Sequence, residues 1–129
     1  KQRENKSFFW EHIKDIEGVQ LRAAPEGSYE TCDALVFFLP NNKIAKKCKN
    51  ELNKVGLSTK ILPEAYTWPF AGSFKHMKEL VSSNKEDLAQ SYPQSRKILD
   101  RTISIPIQVS MDTSKAVILN HSVKKAFKV

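Results

Sequence analysis

The sequence predicts an α+β domain, a small and mainly antiparallel sheet with helices packed on it. Three observations lead there. Asp33 to Leu39 is a nearly continuous apolar run of strand length, stopped by Pro40-Asn41-Asn42. Thr102-Ile103-Ser104-Ile105-Pro106-Ile107 alternates with period two. Between and around these strands, apolar residues recur at helical spacing. With 129 residues the chain suits one domain, spanning 1–129 and large enough to bury a core without staples.

Taken in order, Gln2 to Ile16 reads as a helix with Phe9, Ile13 and Ile16 on one side, ended by Gly18 in a left-handed cap. Val19 to Ala23 alternates as a short strand before Pro25 and Gly27. Asp33 to Leu39 follows, its unbroken apolarity implying burial on both faces or a central place in a sheet. Asn41 or Asn42 caps a helix to about Val55, with Ile44, Cys48, Leu52 and Val55 in a stripe and Gly56 closing it. Leu57 to Leu62 then reads as extended, so strand, helix and strand predict a β-α-β unit. Ser73 is placed to cap a helix carrying Phe74, Met77, Leu80 and Val81, and Ser82 to Gln90 reads as a mobile polar loop. Pro93 opens a short helix to Asp100. Pro106 confines its strand to an edge or to that strand's last residue. Asp112 caps a final helix with Ala116, Leu119, Val123 and Ala126 on one face.

Composition narrows the function classes. An apolar fraction of 40% with 27% charged residues is that of a globular domain. No apolar run approaches the roughly 20 residues a spanning helix needs, so no membrane partner is expected. Cys32 and Cys48 lack metal-ligand spacing and read as reduced, buried thiols, which points to a reducing, cytoplasmic setting. No signal peptide is expected from Lys1-Gln2-Arg3-Glu4-Asn5-Lys6; without an initiator methionine, that start resembles the middle of a polar helix, as in a fragment of a longer protein. The net charge of +7 is lysine-heavy, carried largely by Lys43, Lys46, Lys47, Lys49, Lys54 and Lys60. The four arginines, the better residues for phosphate forks and base edges, are scattered. A solvated face is the reading, with a self-standing basic RNA- or polyanion-binding module as the alternative.

Catalytic signatures are missing. His12, His76 and His121 are far apart and none has a histidine or cysteine at ligand spacing, so no metal site is expected. The four glycines form no phosphate cradle and no nucleophile elbow. What remains is Thr59 to His76, with two prolines, four aromatics, a carboxylate and a histidine. It can be a proline-stiffened plug whose Trp68, Phe70 and Phe74 fill the core. It can equally be a ligand-facing loop in which Trp68 and Phe70 offer flat walls to a sugar while Glu64 and His76 bind hydroxyls.

The order of elements, with Gly56-Leu57-Ser58-Thr59 and Ile103-Ser104-Ile105-Pro106-Ile107, resembles the carboxy-terminal small domain of the DegT/DnrJ/StrS family of sugar aminotransferases. That family has a G-[IL]-x-T turn after the small-domain helix and an L-S-[LI]-P-[LI] strand before its last helix. Thr59-Lys60-Ile61-Leu62-Pro63-Glu64-Ala65, then Trp68, Phe70-Ala71-Gly72 and His76, is similar to the branch that aminates an octulosonate sugar. That branch tends to carry W-H-F-A-G where this chain has Trp68-Pro69-Phe70-Ala71-Gly72, and Pro69 removes the histidine's donor and acceptor. The resemblance implies a fold-type I enzyme dependent on pyridoxal phosphate, with the Schiff-base lysine in a preceding domain outside this chain. No catalytic or cofactor-binding residue is then expected within 1–129, and the isolated chain is expected to be inactive. Also implied are a homodimeric parent, a sugar substrate, an amino donor such as glutamate, and no nucleic acid partner. Glu64, Trp68, Phe70 and His76 become the substrate-facing residues, with Ile61 and Phe74 in the core.

Overall fold

A computed structural model describes residues 1–57, 59, 62–66, 70–83 and 87–128. It contains three strands, β1 (Gln20–Leu21), β2 (Ala34–Phe38) and β3 (Thr102–Pro106), in an antiparallel sheet of order β1-β2-β3. Five helices accompany them: α1 (Gln2–Glu11), α2 (Asn42–Lys54), α3 (Lys78–Ser83), α4 (Pro93–Leu99) and α5 (Lys115–Phe127). The α+β class read from the sequence is the class observed.

β2 is the centre, as its apolarity implied. Its register on β3 puts Leu35 opposite Ile105 and Phe37 opposite Ile103, so all four point to one side of the pleat. That side is fully covered, with Leu35, Phe37 and Ile103 inaccessible to solvent. Phe9 and Ile13 from the α1 segment, Cys48 and Leu52 from α2, and Leu119 and Val123 from α5 complete the same core. On the opposite side Val36 and Phe38 are half-buried, whereas Thr102 and Ser104 are buried. β3 is therefore enclosed on both faces, although its alternation suggests only one.

The helix ends follow local chemistry. Asn41 accepts a hydrogen bond from the Ile44 amide at 3.0 Å and starts α2, while Gly56, at φ +72°, lets the chain leave it. Pro106 is the last residue of β3, where its missing N–H removes no interior ladder bond. The cap position of α5 is Ser114 and not Asp112 as expected, because Asp112 lies two residues further out, where its carboxylate accepts the Ser114 amide at 2.9 Å.

Four further expectations need correction. The first helix stops at Glu11, because the Trp10 carbonyl is shared between the amides of Ile13 and Lys14 and the ladder tightens into turns. Ile13 still reaches the core, and Gly18 (φ +85°) closes the turns. Secondly, the described residues form no β-α-β unit: β2 and β3 are antiparallel neighbours, and Leu57, Thr59 and Leu62 belong to no strand. Pro63 lacks a donor and Glu64 has φ +68°, and neither suits a ladder that would continue this stretch. Thirdly, Phe74 and Met77 precede α3 instead of lying on it, and Ser73 ends a 3-10 turn with its hydroxyl donating to the Phe70 carbonyl. Lastly, the polar stretch 82–90 contains structure: α3 runs to Ser83, and a 3-10 turn at Leu88–Gln90 buries Leu88.

Cys32 and Cys48 are free and buried, as read. Burial, with help from Glu51, pushes the Cys48 thiol up to about 12, so it packs as an apolar group and not as a nucleophile. Asn5 was not anticipated. It is 2% exposed, and its amide donates to the Gln108 and Val109 carbonyls at 2.8 and 3.2 Å, tying α1 to the segment after β3.

Two outcomes follow. Asn5→Ala leaves both carbonyls without that donor and should cost about 1–3 kcal/mol in denaturant unfolding. Glu51 accepts Lys54 and Lys125 at 2.6 Å each, and these cations lower its carboxyl from an ordinary 4.5 to about 2. A depressed folded-state value means that the pair's stabilisation is present above 4.5 and is lost as pH falls towards 2. Glu51→Gln should flatten the acid limb of a pH–melting curve in that window.

Candidate functional site

The described residues of the aromatic stretch do not join the main core. They fold into a lobe with the 3-10 turns and α4, beside the flank of α2. Phe70 is the lobe's centre at 2% exposure, with Ala65, Gly72 and Leu88 also buried. The Tyr66 and Tyr92 rings meet it edge-on at 5.9 and 6.3 Å. The Arg96 guanidinium lies 4.6 Å from the Tyr66 ring centre and 5.5 Å from that of Phe70, and one of its amino groups donates to the Ala89 carbonyl at 3.3 Å.

On the α2 side a groove of about 230 Å³ runs between Lys46, Lys49 and Asn50 and the turn at Pro63 and Glu64. The helical spacing of the first three residues sets them on one flank of α2. The left-handed backbone of Glu64 turns its carboxylate towards Lys46, and the two pair at 2.7 Å. Asp100, at the end of α4, stands behind this pair. One of its carboxylate oxygens is buried with no hydrogen-bond partner, and burial, then the nearby Glu64 charge, raise its pKa while Lys46 lowers it. Arg96 Nε is buried and unpartnered in the same way. The result is a Lys46–Glu64 pair lining the groove with the Asp100 carboxylate near enough to feel both charges, and the pair can donate to and accept from hydroxyls.

The four sequence-derived site residues part company here. Glu64 is exposed in the groove and paired with Lys46. Phe70 is enclosed, so it takes the plug role and presents no open wall. His76 is exposed with its ring 5.8 Å from Phe74. Among the described residues nothing brings His76 to Glu64. Trp68, like Pro69 and Ile61, lies outside the described residues. Phe74 is half-buried and stands apart from the main core cluster. Sequence reasoning missed Lys46, Arg96 and Asp100 as parts of one site. The signal was available only for the last two, four residues apart on one helix.

Among the described residues no group of three or more histidine, cysteine or acidic side chains could hold a metal. The described residues offer pyridoxal phosphate no Schiff-base partner either. An internal Schiff base needs an enclosed lysine, and none of the described lysines is buried. No protein-family model matches the chain.

Gly72 offers a direct probe of the lobe. A Cβ there would press into the Phe70 ring and stand 3.0 Å from the Leu88 carbonyl. Gly72→Ala should therefore loosen the lobe by about 1–3 kcal/mol, the usual cost of overpacking. Hydrogen exchange should speed up at the Ser73 and Ser91 amides while β2 and β3 keep their protection.

Proposed function

We propose that this chain is the substrate-facing small domain of a sugar aminotransferase of the DegT/DnrJ/StrS type, in which it supplies pocket walls and hydroxyl contacts. The observation that carries the reading is the separation of the Glu64 groove and its aromatic lobe from the main core. The described residues of the stretch that resembles the octulosonate-aminating branch lie apart from the main core, with the Glu64 carboxylate held towards a groove by Lys46. Two further features support it. Gly56, in the turn similar to the family's G-[IL]-x-T, has a positive φ, and the strand similar to its L-S-[LI]-P-[LI] is β3. In this reading Glu64 and Asp100 accept hydroxyls of the sugar, Lys46 donates, and Arg96 keeps the lobe in place. Cofactor chemistry resides in the parent's other domain, where pyridoxal phosphate serves as electron sink.

The test uses the full-length protein carrying this chain, loaded with pyridoxal phosphate and given glutamate and keto or aldehyde sugars, sugar acids included. Release of 2-oxoglutarate is expected with at least one sugar. Glu64→Gln should raise KM for that sugar about tenfold, a loss of about 1.4 kcal/mol of binding, and leave kcat within a few-fold. No transamination of any such sugar would sink the proposal. An unchanged KM would remove Glu64 from the site.

A further inference from the structure

We infer that the outward face of α2 and α5 is a docking surface for an anionic lipid bilayer. The inference is independent of the aminotransferase reading. Positive charge is not spread over this protein. Residues 42–54 and 115–128 hold nine lysines and one carboxylate, a net of +8, so in a chain of net +7 everything else sums to −1. The two helices lie side by side, because Lys125 pairs with Glu51 and the Lys47 ammonium donates to the Lys128 carbonyl. Their buried residues, Ala45, Cys48 and Leu52 on α2 and Leu119, Val123 and Ala126 on α5, turn inward together. Helical geometry then sets Lys43, Lys47 and Lys54 outward beside Lys124, Lys125 and Lys128. Glu51 is the one acid on either helix and is already held by two of these cations.

The chemistry of the face selects the partner. Neither helix carries an arginine, so the planar, bidentate phosphate fork is unavailable. Phe127 packs against the core, which leaves His121 as the one exposed ring on the two helices, too few for the successive stacking platforms that base readers use. The lysines act as point charges of the kind that attract anionic headgroups. The amino-terminal half of α5 adds apolar contact: Val117 is 65% and Ile118 39% exposed on the same outward stripe. Branched apolar residues beside a lysine cluster suit the headgroup boundary, where a helix lies in the surface plane. No helix among the described residues is long and apolar enough to cross a membrane, which bears on spanning and not on attachment to a surface.

The experiment is co-sedimentation of the full chain with phosphatidylcholine vesicles, with and without about 30 mol% phosphatidylserine, across a salt series. Binding is expected with the anionic vesicles only, falling about tenfold or more between roughly 50 and 300 mM salt. Lys43→Gln, Lys47→Gln, Lys124→Gln and Lys128→Gln together should weaken it about tenfold or more. A charge-matched control changes Lys1, Lys14, Lys75 and Lys97 to Gln, all exposed and off this face, and should bind like the unmodified chain. Equal losses in the two quadruple variants, no binding to anionic vesicles, or tighter binding to mixed RNA than to vesicles at matched salt would each overturn the inference.

Discussion

The pairing of β2 with β3 is the constraint on which the rest depends. It sets Leu35 and Phe37 beside Ile105 and Ile103 on one side of the pleat, and this apolar strip is what α1, α2 and α5 cover. A slip of β2 by one residue would turn Val36 and Phe38 inward beside the isoleucines of β3 and send Leu35 and Phe37 to the opposite side, away from the helices. Short-range order alone could not hold it, since β1 contributes only two paired residues. The sheet therefore depends on its helices as much as they depend on it.

The same pairing positions the candidate site. α4 leads directly into β3, and the Asn42 side chain donates to the Asp100 carbonyl at 2.9 Å while Arg101 donates to the Leu39 carbonyl at 3.2 Å. These bonds fasten the α4–β3 junction to the β2–α2 junction. Asp100 and Lys46 are thereby carried on rigid elements, and Glu64 is the loop residue that meets them. A site with two members on regular elements and one on a loop combines fixed geometry with a backbone that can take the left-handed turn at Glu64.

Charge is divided in a comparable way. Around the groove, cation and carboxylate balance locally, with Lys46 set against Glu64 and Asp100. On α2 and α5 they do not, and one acid serves a face of lysines. Both regions share α2, whose flank enters the groove and whose outer stripe joins α5, so one helix carries a local site and a long-range field.

What the sequence determined by itself was whatever its own periodicity and caps encode. The α+β class, the central apolar strand, an asparagine cap at Asn41 or Asn42, Pro106 at a strand end and the inward face of α5 are all local patterns, and each was legible. The limits of that reading are equally physical. The extent of α1 depended on how Trp10 divides its carbonyl between two amides. Between Leu57 and Leu62 the described residues, Leu57, Thr59 and Leu62, join no strand, because pairing is a property of two segments. In the aromatic stretch, apolar character alone could not choose between plug and wall: Phe70 became a plug because Tyr66, Tyr92 and Arg96 close around it, and they come from two segments separated in sequence. The grouping of Lys46, Glu64 and Asp100 was likewise decided only in three dimensions, since it joins a helix flank, a left-handed turn and a helix end that no spacing in the chain connects.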